Sequence, residues 1–281
     1  MTGSRLVSRK IRTSEDAHQQ KIAVLARILD EATLRKQAIV RLTVEHPSLR
    51  LEDAYLIQDA GIRLRLGRGE KVVGFKMGLT SKAKMKQMGV DSPIYGVLTS
   101  SMRVENGSRL SLSGRIHPKI EPEVAFVVRR ELHGRVSMEE ALNACGGVCA
   151  AIEVIDSRFQ NFDFTLPDVI ADNGSSSAFV LGPLVQDFSA LNLGNLGIIL
   201  EVDRSPAQSG SSEAIYGHPG ASLAELCSML HARGLGLPSG SIVLSGAATQ
   251  AVALKPGMSV RTCVQGLPDA LLKAMPEGLS S

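Results

Sequence analysis

Two glutamates two residues apart, Glu121 and Glu123, stand at the head of an apolar run, His117-Pro118-Lys119-Ile120-Glu121-Pro122-Glu123-Val124-Ala125-Phe126-Val127-Val128. In an extended chain, residues i and i+2 face the same side, so these carboxylates are neighbours. Like charges that close repel, and one is driven toward protonation unless a cation lies between them. Pro122 cannot donate to a sheet ladder, which suits the start of a strand. A third carboxylate, Glu153, sits inside Ala151-Ile152-Glu153-Val154-Ile155. An unpaired charge in an apolar strand is costly to bury. A metal ion shared with Glu121 and Glu123 would supply the partner. Three carboxylates with no His or Cys form a hard oxygen donor set, which favours magnesium or manganese over zinc or copper. The same residues also have plainer readings: the glutamate pair as a solvated edge, and Glu153 as the partner of a buried Lys or Arg.

Lys76 lies in Gly74-Phe75-Lys76-Met77-Gly78-Leu79-Thr80-Ser81, flanked by apolar residues and glycines. Such an ammonium can face a pocket, binding a carboxylate or polarising an oxygen; it can equally reach past a strand end to solvent. Lys82, Lys84 and Lys86 read as a solvated helix face. Asp172-Asn173-Gly174-Ser175-Ser176-Ser177 is a polar turn before an apolar strand, and Ser245-Gly246-Ala247-Ala248-Thr249 places small residues at a strand end. Either can approach a ligand or simply turn and pack the chain. His218, in Gly217-His218-Pro219, reads as a turn residue rather than a base. There is no dinucleotide fingerprint, phosphate loop, nucleophile elbow or HExxH pair, which argues against nucleotide, serine-hydrolase and zinc-protease chemistry.

The elements that must position these groups change character near Lys71. Before it the spacing predicts helices: Ile22, Val24, Leu25, Ile28 and Leu29 share a helical period, and Leu51 to about Leu66 forms a second helix ended by Gly67. The first twenty or so residues are polar and read as frayed. After Lys71, a strand over 72–78, a short helix over 81–88, and strands over 123–128, 150–155, 177–181, 197–202, 241–244 and 259–264 are expected, with helices over 138–149 and 222–233. The tail from Met275 to Ser281 reads as loose. The expected organisation is a helical portion over 1–70 and a strand-rich body over 71–281, forming one compact unit.

Composition narrows the function. The formal charge of +3 is too small for a nucleic-acid footprint, and 4% aromatics with no Trp leaves little to stack bases. No run approaches the length of apolar sequence a membrane span needs. The N-terminus lacks an apolar signal core, and Cys145, Cys149, Cys227 and Cys263 read as reduced thiols. A cytoplasmic enzyme is the expectation.

Several stretches together resemble the 4-oxalocrotonate decarboxylase and 2-hydroxypentadienoate hydratase group of the fumarylacetoacetate hydrolase superfamily. They are VVGFKMGLTSKAKMKQMGVDSPIYGVL, HPKIEPEVAFVV, AIEVIDSRFQNFDF, VIADNGSSSAFVLG, YGHP and LSGAATQAV, with AYLIQ at 54–58. They run from about Val72 to about Val264; about 25 N-terminal residues look like an addition. The resemblance implies an α+β fold: a mixed β-roll or barrel-like body with outer helices and an N-terminal helical portion. It implies that Glu121, Glu123 and Glu153 ligate magnesium, with manganese possible, and that Lys76 lies in the active site. It implies that Leu79, Thr80, Ser81, Ser157, Asn173 and Gly246 line the substrate pocket. HPKIEPE and VIDSRFQNFDF resemble the decarboxylase, where the hydratase has QPRIE. The implied activity is decarboxylation of 2-oxohex-3-enedioate, a 2-oxo dicarboxylate of aromatic meta-cleavage catabolism. The alternatives are the hydratase, a C–C bond hydrolase using a His–Glu pair such as His46 and Glu45, and a non-catalytic partner subunit. A homo-oligomer, in complex with the pathway hydratase, is also implied.

Overall fold

The computed structural model describes residues 3–275. The chain opens with three helices, α1 (Gly3–Arg35), α2 (Leu42–Glu45) and α3 (Leu51–Gly67). The body follows: β1 (Val72–Gly78), α4 (Lys82–Met88), β2 (Ile94–Thr99), β3 (Arg103–Val104), β4 (Arg109–Leu110), β5 (Lys119–Val128), α5 (Met138–Asn143), β6 (Cys145–Ile155), α6 (Leu166–Ala171), β7 (Ser176–Leu181), β8 (Gly197–Val202), β9 (Ser205–Ser211), α7 (Pro219–His231), β10 (Ile242–Ala247), β11 (Val252–Ala253), β12 (Ser259–Val264) and β13 (Ala270–Ala274). This is the expected α+β architecture. No helix among the described residues is long and apolar enough to cross a membrane.

The strands form two sheets. One runs β2-β1-β10-β5-β6-β7-β3, with β11 added on β5; the other runs β4-β13-β12-β8-β9. The larger sheet is mixed: β1 pairs parallel with β10 and β3 parallel with β7, and its other pairings are antiparallel. It curls until β2 and β7, far apart in strand order, touch. Side chains alternate between its two faces. Outward on β5 and β6, Ile120, Val124, Phe126, Ala150 and Ile152 pack with Ile198, Leu200, Val260, Val264 and Leu272 of the second sheet. Inward, Ala125, Cys149, Ala151, Phe179, Ile242 and Leu244 make an apolar floor with Leu98 and Met102. Glu121, Glu123, Glu153 and Lys76 share that inner face by register. The N-terminal helices dock on the body through Leu25, Leu29, Ala54 and Ile57 against Ile94, Val169 and Ile170.

Three expectations need correcting. The helix expected over 138–149 stops at Asn143, and Cys145 begins β6, so Cys145 and Cys149 lie on a strand. Gly147 permits it: a Cβ there would lie 2.6 Å from Leu184 Cγ, and backbone bonds between Val148 and Val185 hold the segment extended beside the chain that follows β7. Residues 3–20 are not frayed, since α1 starts at Gly3; from Ser4 to Arg35 nothing interrupts the helix with Gly or Pro. Pro122 is not at a strand start but inside a central strand, opposite a register shift between Leu244 and Ala247 of β10. A bulge tolerates the missing donor. Strands β2, β3, β4, β9, β11 and β13 and helices α2 and α6 were not foreseen. Of the tail expected to be loose, residues 276–281 lie outside the described residues.

Candidate metal centre

The β5–β6 register places Glu121 directly opposite Glu153 and Glu123 opposite Ala151. Opposed like charges destabilise a strand pair, so this register is tolerable only with a cation at hand. Ligand oxygens of Glu121, Glu123 and Glu153 lie within 4.8 Å of one another. The three residues are 6%, 0% and 1% exposed, and Lys76 is 3% exposed. Lys76 reaches the cluster because β1 lies parallel beside β10, with Lys76 level with Leu244. Its Nζ is 3.1 Å from Glu153 Oε2. Among the described residues, that ion pair is the contact found for Glu153 Oε2, and Glu153 Oε1 and Glu123 Oε1 have no hydrogen-bond partner. Buried carboxylate oxygens left in this state are what a hard cation would satisfy.

The electrostatics agree. Burial pushes Glu123 well above the usual carboxylate range, the charges of Glu153 and Glu121 push the same way, and Lys76 only partly offsets them. Burial also raises Glu153, with Lys76 opposing. Burial works to lower the Lys76 ammonium, but Glu153, Glu121 and Glu123 outweigh it and leave it raised. Among the described residues, the Lys76 ammonium faces all three acids. A divalent ion would restore balance, and the donor set suits magnesium or manganese.

Gly246 completes the cradle. Its N–H donates to Glu123 Oε2 at 2.8 Å, which aims the other oxygen into the cluster. At φ +115° it occupies a region disfavoured for L side chains, and a Cβ there would lie 2.2 Å from Thr80 Oγ1. Gly246 and Thr80 are thus brought together. Leu79, at φ 56°, ends β1 and packs on the N-terminal helical cluster. The Ser81 carbonyl accepts the Met85 N–H as α4 begins.

Two expected pocket residues spend their polar atoms on the protein. Asn173 Oδ1 accepts from the Val97 N–H at 2.7 Å, and its Nδ2 donates to the Val97 carbonyl at 2.9 Å. Ser157 Oγ donates to Asp172 Oδ2 at 3.4 Å and accepts the Phe159 N–H at 3.1 Å. Asn173 therefore pins the 172–175 turn to β2. That turn carries Gly174 against the Lys76 side chain, whose Cε lies 3.3 Å from where a Gly174 Cβ would stand. Sequence reasoning missed the buried Arg158–Asp172 pair behind this turn. Arg158 also donates to the carbonyls of Asp156, Asp172 and Ser176. Burial raises the Asp172 carboxyl to about 6, against the pull of Arg158. Arg158 and Asp172 both lie in stretches rich in polar residues, so nothing in the sequence marked them as a buried pair.

His218 is the turn residue it was read as: its Nδ1 accepts the Gly220 N–H at 2.9 Å and caps α7. Glu45 is exposed at the end of α2, and neither it nor His46 belongs to the carboxylate cluster.

The family model described as fumarylacetoacetate (FAA) hydrolase C-terminal matches residues 70–271. The chain belongs to the fumarylacetoacetate hydrolase family. Within that family it is 44% identical over 247 residues to a protein of a Pseudomonas species named 4-oxalocrotonate decarboxylase, covering 88% of this chain and 95% of the relative. It is 34% identical over 252 residues to a 2-hydroxyhexa-2,4-dienoate hydratase of Comamonas testosteroni, covering 89% and 96%. Among solved structures, a 4-oxalocrotonate decarboxylase from Pseudomonas putida G7, complexed with magnesium and adipate, superposes with a TM-score of 0.88. The identity there is 36%, over 91% of this chain and 98% of the other.

Proposed function

We propose that this protein is a magnesium-dependent 4-oxalocrotonate decarboxylase, a carbon–carbon lyase that converts 2-oxohex-3-enedioate to 2-hydroxypenta-2,4-dienoate and CO2 in aromatic meta-cleavage catabolism. One observation carries the reading: three buried carboxylates converge beside a buried ammonium, and among the described residues oxygens of Glu123 and Glu153 have no hydrogen-bond partner. They do so in a chain 44% identical to a protein of that name.

Glu121, Glu123 and Glu153 would hold the ion, with Mn2+ as a possible substitute. Bound there, a divalent ion acts as a Lewis acid toward the 2-oxo-acid end of the substrate. The chain's own residues account for the rest. The conjugated enone links C2 to C5, which bears the departing carboxylate. As the C5–C6 bond breaks, its electron pair delocalises to the C2 oxygen, giving a dienolate. Protonation of that oxygen completes the product. Lys76, protonated and buried, supplies fixed positive charge or orients an anionic group in a site that excludes water. Buried at the edge of the glutamate cluster, it suits an electrostatic role. Gly246 and the Asn173–Gly174 turn hold Glu123 and Lys76 in place. Leu79, Thr80, Ser81 and Ser157 complete the proposed substrate surroundings.

The same metal centre would serve a hydratase, and the 34% identity to the Comamonas hydratase favours naming that as the second reading. The proposal includes a homo-oligomeric, cytoplasmic enzyme, consistent with its four free cysteines, working beside the pathway hydratase. The test is incubation of purified protein with magnesium and 2-oxohex-3-enedioate. Release of CO2 with formation of the dienol supports the decarboxylase. Turnover of the dienol alone selects the hydratase, and no turnover of either selects a partner subunit.

A further inference from the structure

A cavity of about 500 Å³ opens where β5 begins and β6 ends, lined among others by Arg115, His117, Lys119, Asn161 and Phe162. Two stretches distant in sequence, HPKIEPE and VIDSRFQNFDF, meet there. Lys119 and Glu121 lie two residues apart on β5 and face the same side, about 7 Å apart along the strand. Their partners across the pair are Ile155 and Glu153. Lys119, which lines the cavity, therefore shares the face of β5 that carries the glutamates, one side-chain step along the strand.

Its charge is positive and incompletely compensated. Among the described residues, neither Lys119 nor Arg115 has a carboxylate oxygen within 4.0 Å. Lys119 Nζ rests 3.8 Å from the centre of the Phe162 ring. Arg115 donates to the Ser111 carbonyl at 2.6 Å, and its Nε is buried with no partner among the described residues. His117 Nε2 is likewise buried and unpartnered. Asp156 accepts the Ile116 and His117 N–H groups at 2.9 and 2.8 Å, so its oxygens hold the backbone of this loop. Phe162 packs on His117 with ring centres 4.8 Å apart and planes inclined by 35°. Asn161 and Phe162 both have left-handed backbones, at φ 56° and 57°. Two successive non-glycine residues in that region are held against their own preference, a feature that clusters at ligand sites.

We propose that this cavity is the subsite for the far carboxylate of a linear dicarboxylate, with Lys119 as the residue that selects it. This rests on the decarboxylase reading. In 2-oxohex-3-enedioate the C6 carboxyl carbon is four bonds of about 1.5 Å from C2. A 2-oxo-acid head at the glutamates brings that tail to Lys119. An ammonium resting on a ring face gains a charge-assisted hydrogen bond when a carboxylate enters.

The test is calorimetric binding to magnesium-loaded protein at about 0.15 M salt, where long-range attraction is screened. The probes are 2-oxoadipate and 2-oxohexanoate, which differ only at C6. Wild type should bind the diacid at least about tenfold more tightly. Lys119→Met should abolish most of that preference with 2-oxohexanoate binding intact, and Lys119→Arg should keep it. The subsite is overturned if wild type shows no preference or binds neither acid. It is also overturned if Lys119→Met keeps the preference or weakens both acids equally. CO2 release is scored separately. Activity without the preference removes the subsite alone; the preference without activity removes the decarboxylase reading alone.

Discussion

Replacing Lys76 with Met keeps most of the length and volume of the side chain and removes its ammonium. In metal-free protein this leaves Glu121, Glu123 and Glu153, all within ligand distance of one another, without the cation that faces them. Breaking a buried ion pair by removing one partner costs about 3–5 kcal/mol. A chain of this size shifts its melting temperature by about 2 °C per kcal/mol, so Lys76→Met should melt roughly 6–10 °C below wild type in EDTA. Saturating magnesium binds the ionised carboxylates and replaces the missing charge, so the deficit should shrink to under about 3 °C. The pH dependence has a definite sign. Glu123 and Glu153 are raised above 4.5 in the folded chain. Their contribution to stability is present below that value and is lost as pH rises through the folded value. EDTA-treated wild type should therefore lose stability from mildly acid to neutral pH. The variant should lose more, and magnesium should flatten both curves. Thermal unfolding by circular dichroism, with EDTA or magnesium, measures this directly. An equal deficit under both conditions, or none in either, would refute the charge balance argued for this site. In the same variant, turnover should fall further than magnesium affinity.

Glu121→Gln should fold normally yet lose metal-dependent turnover; activity near wild type would remove Glu121 from the ligand set. Gly246→Ala forces a Cβ to 2.2 Å from Thr80 Oγ1 at φ +115°, which should cost about 1–3 kcal/mol in urea unfolding. It should also weaken magnesium binding, because the N–H that aims Glu123 must move; unchanged affinity by calorimetry would contradict that role. Arg158→Leu leaves Asp172 buried and unpaired, at a cost of about 3–5 kcal/mol near neutral pH. The Asp172 carboxyl is already raised to about 6, so its share of stability is present below about 4 and lost as pH rises through about 6. The Arg158→Leu deficit should accordingly be smaller at about pH 5 than at about pH 8; a deficit independent of pH would show that lost packing, not charge, is responsible.

The sequence by itself determined what depends on local periodicity. Alternation in an extended chain puts Glu121 and Glu123 on one side, and helical spacing gave α3 almost to the residue. A carboxylate in the apolar stretch around Glu153 and a lysine in the one around Lys76 each demanded a partner on desolvation grounds alone. Which partner was a tertiary matter. Glu153 meets Glu121 only through the β5–β6 register, and Lys76 joins them only because β1 runs parallel beside β10. The Gly246 N–H, 123 positions from Glu123, and the Arg158–Asp172 pair arise in the same way. Where local pattern and long-range burial conflicted, burial won. Cys145–Cys149 looked helical but became strand, because Gly147 admits Leu184 beside a sheet that buries both faces of β6. Backbone geometry sets the period of each element residue by residue. Register and strand order minimise the exposed apolar surface summed over the whole sheet, and no single segment of sequence carries that sum.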